Sequence, residues 1–321
     1  MEARPTLLYI GGYPRSGSTI LSRLLGQLDG FTDIGELANA WRVIDRGWGT
    51  CGCAVDVIRC PFWADVFTQL DGWQSGGRGF EPEAAEGLVA AHREAGKSSR
   101  VLRSYLTGRL DHHQLRYGRF LARLYGSIAG ITGATTVVDS SKDPWWATYA
   151  AAGGVKVAFL HLLRDPRGVY YSRARSRQAS NLVPDGPLKT LSVAAGWAGI
   201  NVTAAASPRL GIETYIRASY ESIMSEPEIA LPRLLMQLGL GDHKVPIVNS
   251  MVAIIRPGHS ISGNPSRFQQ GAVPLVADEA WRSELSRGHK ASVMATAGLV
   301  WWYLRRHDSI SRLQEATDRP D

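Results

Sequence analysis

A chain of 321 residues can bury a sizeable core, and a composition 44% hydrophobic and 20% charged excludes global disorder. The net charge of +7 suits an anionic ligand, but it does not by itself separate a nucleotide from nucleic acid or from ordinary surface charge. The apolar residues before Gly11 are too few for a signal-peptide core and the run Ala295 to Trp302 is far short of a membrane span, so three cysteines and no export signal read as a reduced, cytoplasmic protein.

In chain order, Leu7-Leu8-Tyr9-Ile10 is a short continuous apolar run ending in Gly11-Gly12, the pattern of a strand buried on both faces. Ile20, Leu21, Leu24, Leu25 and Leu28 then recur on one face of a helix, with Gly30 as its stop. The segment Trp73 to Gly79 is rich in glycine and reads as a mobile loop, followed by a polar helical region over 81–125. Thr135 to Val138 is a second strand, Val155 to Leu163 the strongest, and Glu213 to Arg217 a weaker fourth. Ser225 and Glu228 have the spacing of a capping box that opens a helix. Strands alternating with helices predict an α/β fold with a mainly parallel sheet, and no linker or repeat divides the chain.

Gly11-Gly12-Tyr13-Pro14-Arg15-Ser16-Gly17-Ser18-Thr19 lies between the first strand and the first helix. Such a turn presents free backbone N–H groups and the positive end of the helix dipole to an anion. Ser18 and Thr19 add hydroxyls, and Arg15 adds a planar charged fork. A plain tight turn with ordinary caps is the bland alternative. The kinase-type phosphate loop requires Lys before the Ser or Thr, and here Gly17 stands there.

Pro14 to Thr19 resembles the loop that grips the 5′-phosphosulfate in sulfotransferases that use 3′-phosphoadenosine 5′-phosphosulfate (PAPS). Arg164-Asp165-Pro166-Arg167, followed by Ser172 at the end of the strongest strand, resembles that family's 3′-phosphate element, and Arg173, Arg175 and Arg177 continue the positive field. Asp139 to Pro144 resembles the segment carrying a lysine near the transferred group, here Lys142. Tyr220-Glu221 with Pro227-Glu228, and His259 to Phe268, resemble a strand-end element and a late loop that closes over the nucleotide. The residues after Ala277 carry no usable motif.

The resemblance implies a three-layer α/β/α fold like that of P-loop-containing nucleoside triphosphate hydrolases, as one sulfotransferase domain over 1–321 with an acceptor-side insertion at about 41–130. It implies PAPS as donor, no metal, and nucleotide contacts from Arg15, Ser16, Gly17, Ser18, Thr19, Arg164, Ser172, Tyr220, Gly263, Asn264 and Arg267. Arg15 and Lys142 become the catalytic cations. Glu36, placed after the first helix as in family members acting on tyrosyl peptides and sugars, becomes the base. His112, His113, His161 and His259 are rival bases, with His161 reading as an interior residue and His259 as a nucleotide contact.

The acceptor is a hydroxyl on a glycan, glycolipid, natural product or phenol, with no nucleic acid partner. Trp41, Trp48, Trp63, Trp73, Trp145 and Trp146 are equally platforms for it or core packing. Cys51, Cys53 and Cys60 offer three thiolates where a structural zinc site has four ligands, and no histidine is near in sequence. They read as structural cysteines or a labile disulfide, beside the acceptor pocket. A metal-dependent P-loop small-molecule kinase and a non-catalytic nucleotide- or RNA-binding protein are the competing classes.

Overall fold

The computed structural model describes residues 4–45, 49–70, 82–178 and 186–309. Five strands, β1 (Thr6–Gly11), β2 (Phe31–Gly35), β3 (Thr136–Lys142), β4 (Lys156–Leu163) and β5 (Thr214–Ser219), form a parallel sheet in the order β2-β3-β1-β4-β5. Three short strands, β6 (Ile247–Val248), β7 (Val252–Ile255) and β8 (Gly271–Pro274), make a separate antiparallel sheet. All four strands expected from apolar runs are present; β2 is interrupted by Thr32 and Asp33, and the apolar run Val252-Ala253-Ile254-Ile255 of β7 was not read as a strand.

Side chains alternate across the central sheet, and both faces are covered. Leu7, Tyr9, Val137, Val157 and Phe159 pack with Trp41, Trp63, Leu121, Tyr125 and Trp146 on one side. Leu8, Ile10, Val138, Ala158 and Leu160 pack with Leu21, Leu24, Leu25, Ile223, Leu231 and Leu234 on the other. Leu7, Leu8, Tyr9 and Ile10 are all fully buried, and each such side chain is worth about 1.5–3 kcal/mol of transfer free energy. The result is the expected α/β/α layering. A third cluster, with Leu163, Val169, Trp197, Trp281 and Trp301, joins the helices Pro166–Gln178, Pro187–Ala206 and Arg287–Arg305.

Two local expectations are corrected. The first helix is Ser18–Leu25 and closes on Gly26, while Gly30, at φ 78, sits in the turn into β2. Leu28 is buried but lies beyond the helix. Ser225 ends the short helix Tyr220–Ser225, which Ser219 caps, so the next helix, Pro227–Gln237, starts without a side-chain cap.

The 81–125 region forms the helices Pro82–Ala95 and Ser98–Thr107 and runs into His112–Thr132. The segment Trp73 to Gly79, with Trp48, lies outside the described residues. No described helix is long and apolar enough to cross a membrane.

The register of the sheet positions the site. Gly11 stands opposite Lys142 on β3 and His161 on β4, Gly35 opposite Asp139, and Leu163 opposite Ser219. Parallel strands in this register end at one edge, so the residues that follow them meet there. Ligands of open α/β sheets bind at that edge.

Candidate active site

At this edge a cleft of about 650 Å³ is lined by Arg15, Gly17, Ser18, Thr19, Glu36, Lys142, Arg164, Ser172, Tyr220, Gly263 and Asn264, all singled out from sequence. Gly17 has φ 86, and a Cβ there would meet the Tyr220 ring at 2.5 Å, so the turn requires glycine. Gly12, at φ 137, would meet the Leu162 carbonyl at 2.4 Å, which fixes how closely the turn passes β4.

Arg15 Nε donates to Ser172 Oγ at 3.1 Å, and Arg164 donates to the Arg15 carbonyl at 2.8 Å. The two anion elements read separately from sequence are therefore one connected wall. Arg164, only 4% exposed, also donates to the Asp278 carbonyl at 2.8 Å, pairs with its carboxylate at 3.3 Å and lies over the Tyr220 ring at 4.6 Å. Its Nε is buried without a hydrogen-bond partner.

Arg175 pairs with the same carboxylate at 3.1 Å. The lining thus brings four cations, Arg15, Lys142, Arg164 and Arg175, against two carboxylates, Glu36 and Asp278. Burial, then the neighbouring Arg164 and Arg175, lowers the pKa of Arg15 from its ordinary value, as expected for cations crowded without enough counter-charge.

Glu36 follows β2 and forms an ion pair with Lys142, with Asn39 Nδ2 donating to its other oxygen at 2.7 Å. Its backbone N–H donates to Ser262 O at 3.3 Å, and the Asn264 N–H to Thr19 Oγ1 at 3.4 Å, so the late loop touches both base candidate and anion turn. Arg15 and Lys142 hold left-handed backbones at φ 77 and φ 74, which non-glycine residues adopt at a cost and which cluster at functional sites.

Several expected contacts fall elsewhere. Ser16, 2% exposed, donates to the Tyr13 carbonyl at 2.8 Å and shapes the turn from behind, outside the cleft lining. Arg267 braces the late loop through Gly263 O and Thr50 O, at 2.9 and 2.8 Å. Arg167 turns away to Asp165 and stacks over Trp281 at 4.5 Å.

His161 is interior, bonded to Tyr215 and Asn201, and burial lowers its pKa to about 3. His259 faces the cysteines and not the cleft. Trp41, Trp63 and Trp146 are core residues whose indole N–H groups donate to Tyr117 Oη, His259 O and Tyr125 Oη. Asp278, beyond the last usable motif, was missed: a single aspartate in an irregular segment carries no sequence signal, and only the fold pairs it with Arg164.

No family model matches the chain, and no curated protein does. Among solved structures the chain is similar to the "Sulfotransferase Domain from the Curacin Biosynthetic Pathway", at 19% identity and a TM-score of 0.45, over 92% of this chain and 97% of that one. The likeness is loose, and what the cleft can do follows from its own side chains.

Proposed function

We propose that the chain is a sulfotransferase that transfers a sulfuryl group from PAPS to an alcohol or phenol hydroxyl. The observation that carries this reading is one cleft in which a Glu–Lys pair stands beside a glycine turn and a cation-rich wall. The residues fit a doubly phosphorylated nucleotide: the cations lining the cleft outnumber the carboxylates, and a buried Arg164 N–H is unpaired.

Gly17, Ser18 and Thr19 would hold the 5′-phosphosulfate at the helix N-terminus. Arg164 and Ser172 would hold the 3′-phosphate, with Tyr220, Gly263 and Asn264 around the nucleotide. The donor supplies an activated sulfuryl group on a phosphate leaving group. Glu36 is placed to take the proton of the acceptor hydroxyl, and Lys142 holds that carboxylate in position while opposing negative charge at the reacting centre. Arg15 opposes charge on the leaving side. At an effective dielectric near 20 a close pair of opposite charges is worth about 4 kcal/mol in gross Coulomb energy, so either cation can shift the rate by orders of magnitude.

Titration calorimetry with the 3′,5′-bisphosphate product, without metal, tests the donor site against ATP with Mg²⁺. Tight bisphosphate binding together with PAPS-dependent sulfation in a screen of hydroxyl acceptors supports the reading. Preference for Mg-ATP would make the chain a kinase, and binding of neither ligand would refute a nucleotide-dependent transferase.

A further inference from the structure

A second cluster lies outside the cleft. Cys51, Cys53 and Cys60 converge with His259, about 200 residues later, so that their ligand atoms all lie within 4.8 Å of one another. Cys60 Sγ is 3.4 Å and Cys51 Sγ 3.7 Å from His259 Nδ1, and Cys53 Sγ is 3.7 Å from Cys60 Sγ. With zinc–sulfur bonds of about 2.3 Å and zinc–nitrogen bonds of about 2.0–2.1 Å, a tetrahedron has edges of about 3.8 Å between sulfurs and about 3.6 Å between sulfur and nitrogen. These three separations match those edges. A disulfide needs sulfurs about 2.05 Å apart, and all three cysteines are free.

We propose that Cys51, Cys53, Cys60 and His259 form a four-coordinate structural zinc site. The Cys51-x-Cys53 turn and the start of the helix Pro61–Thr68, where Cys60 is the N-cap, supply the thiolates. The imidazole is held by stacking on Phe62 at 4.6 Å, and its backbone carbonyl accepts from Trp63 Nε1 at 3.1 Å. Such outer contacts fix the orientation of metal ligands.

The site would fasten the segment after β2 to the late loop. Gly52 N–H already donates to Ser260 O at 2.9 Å, and Arg267 ties Thr50 to Gly263 in the cleft lining. Three thiolates and a neutral imidazole select zinc among common divalent metals by softness and tetrahedral geometry. Exchange with the hard cations of nucleotide sites, Mg²⁺ or Ca²⁺, is not expected.

The test is independent of the donor reading, because it needs no nucleotide. Elemental analysis of the full chain, purified in reducing buffer without chelator, should find about one zinc per chain, and Cys60→Ser and His259→Ala should each lower that content severalfold. If the variants do not fold, cobalt titration of the chelator-treated wild type replaces them, with a thiolate-to-cobalt charge-transfer band and intense tetrahedral d–d bands as the expected result. A metal-free chain that gives no such bands, a zinc content indifferent to both substitutions, or a Cys53–Cys60 disulfide in the freshly purified protein would overturn the site.

Discussion

Replacing Arg164 with alanine separates binding from scaffolding most sharply. Its guanidinium is 4% exposed and already holds the Arg15 carbonyl and both the carbonyl and carboxylate of Asp278, while its Nε is unpaired. A charge-assisted hydrogen bond to a phosphate contributes about 1.5–3 kcal/mol. At 1.4 kcal/mol per decade, Arg164→Ala should weaken 3′,5′-bisphosphate binding roughly 10- to 150-fold.

Asp278 keeps Arg175 as a partner at 3.1 Å, so the carboxylate is not left bare and the variant should still fold. Calorimetry measures the affinity, and thermal unfolding without ligand measures the structural cost. Arg164→Lys retains the charge but not the planar fork, and should recover only part of the loss. A bisphosphate affinity within about threefold of wild type, equivalent to less than about 0.7 kcal/mol, would refute the assignment and leave Arg164 as a brace between Arg15 and Asp278.

Glu36→Gln preserves shape and the contact with Asn39, so kcat for sulfation should fall by about 10²–10⁴ while bisphosphate affinity stays unchanged; an unaltered kcat would remove Glu36 as base. Gly17→Ala adds a methyl 2.5 Å from a Tyr220 ring backed by Arg164, on top of about 1–2 kcal/mol of left-handed strain. It should lower Tm and abolish bisphosphate binding, and a chain that binds normally would refute the requirement for glycine in the turn. Burial raises Asp143 from 3.8 to about 6, with Lys142 opposing and Glu36 adding. The folded state therefore prefers its protonated form, and this contribution is complete below pH 3.8 and lost as pH rises through about 6. That rise corresponds to about 3 kcal/mol, so Asp143→Asn should gain in unfolding free energy relative to wild type between pH 4 and 6, a difference that denaturant melts at both values would detect.

Legibility in the sequence tracked how local each signal is. The buried strands announced themselves because both faces of β1 and β4 are covered, which leaves unbroken apolar runs. Strand β2 did not, because Thr32 and Asp33 interrupt it; Asp33 is instead satisfied by Ser260 Oγ and the Gly35 N–H. That the glycine turn and Arg164 meet at one cleft was readable because each directly follows a strand, and parallel register gathers strand ends. Side-chain direction was not: Ser16 and Arg267 belong to the right segments but point into the scaffold. Asp278 and His259 depend on contacts more than a hundred residues long, which no spacing rule carries.

Those long contacts also bear on how the cleft keeps its shape. The late loop has no regular structure between Pro257 and Asn264, yet it supplies Gly263 and Asn264 to the cleft and receives the Glu36 N–H at Ser262. Loops of that kind are entropically costly to order. Here the restraint comes from three directions: Gly35, at φ 70, lets β2 approach so closely that a Cβ would meet Ser262 O at 2.6 Å; Arg23 reaches the Ser266 and Gln269 carbonyls; and His259 is drawn into the cysteine cluster. Each restraint acts on the backbone on one side or the other of Gly263. The position of Glu36 against Lys142 therefore depends on the same loop that supplies Gly263 and Asn264 to the cleft, so under the proposed function donor binding and base placement should respond together when the loop is loosened.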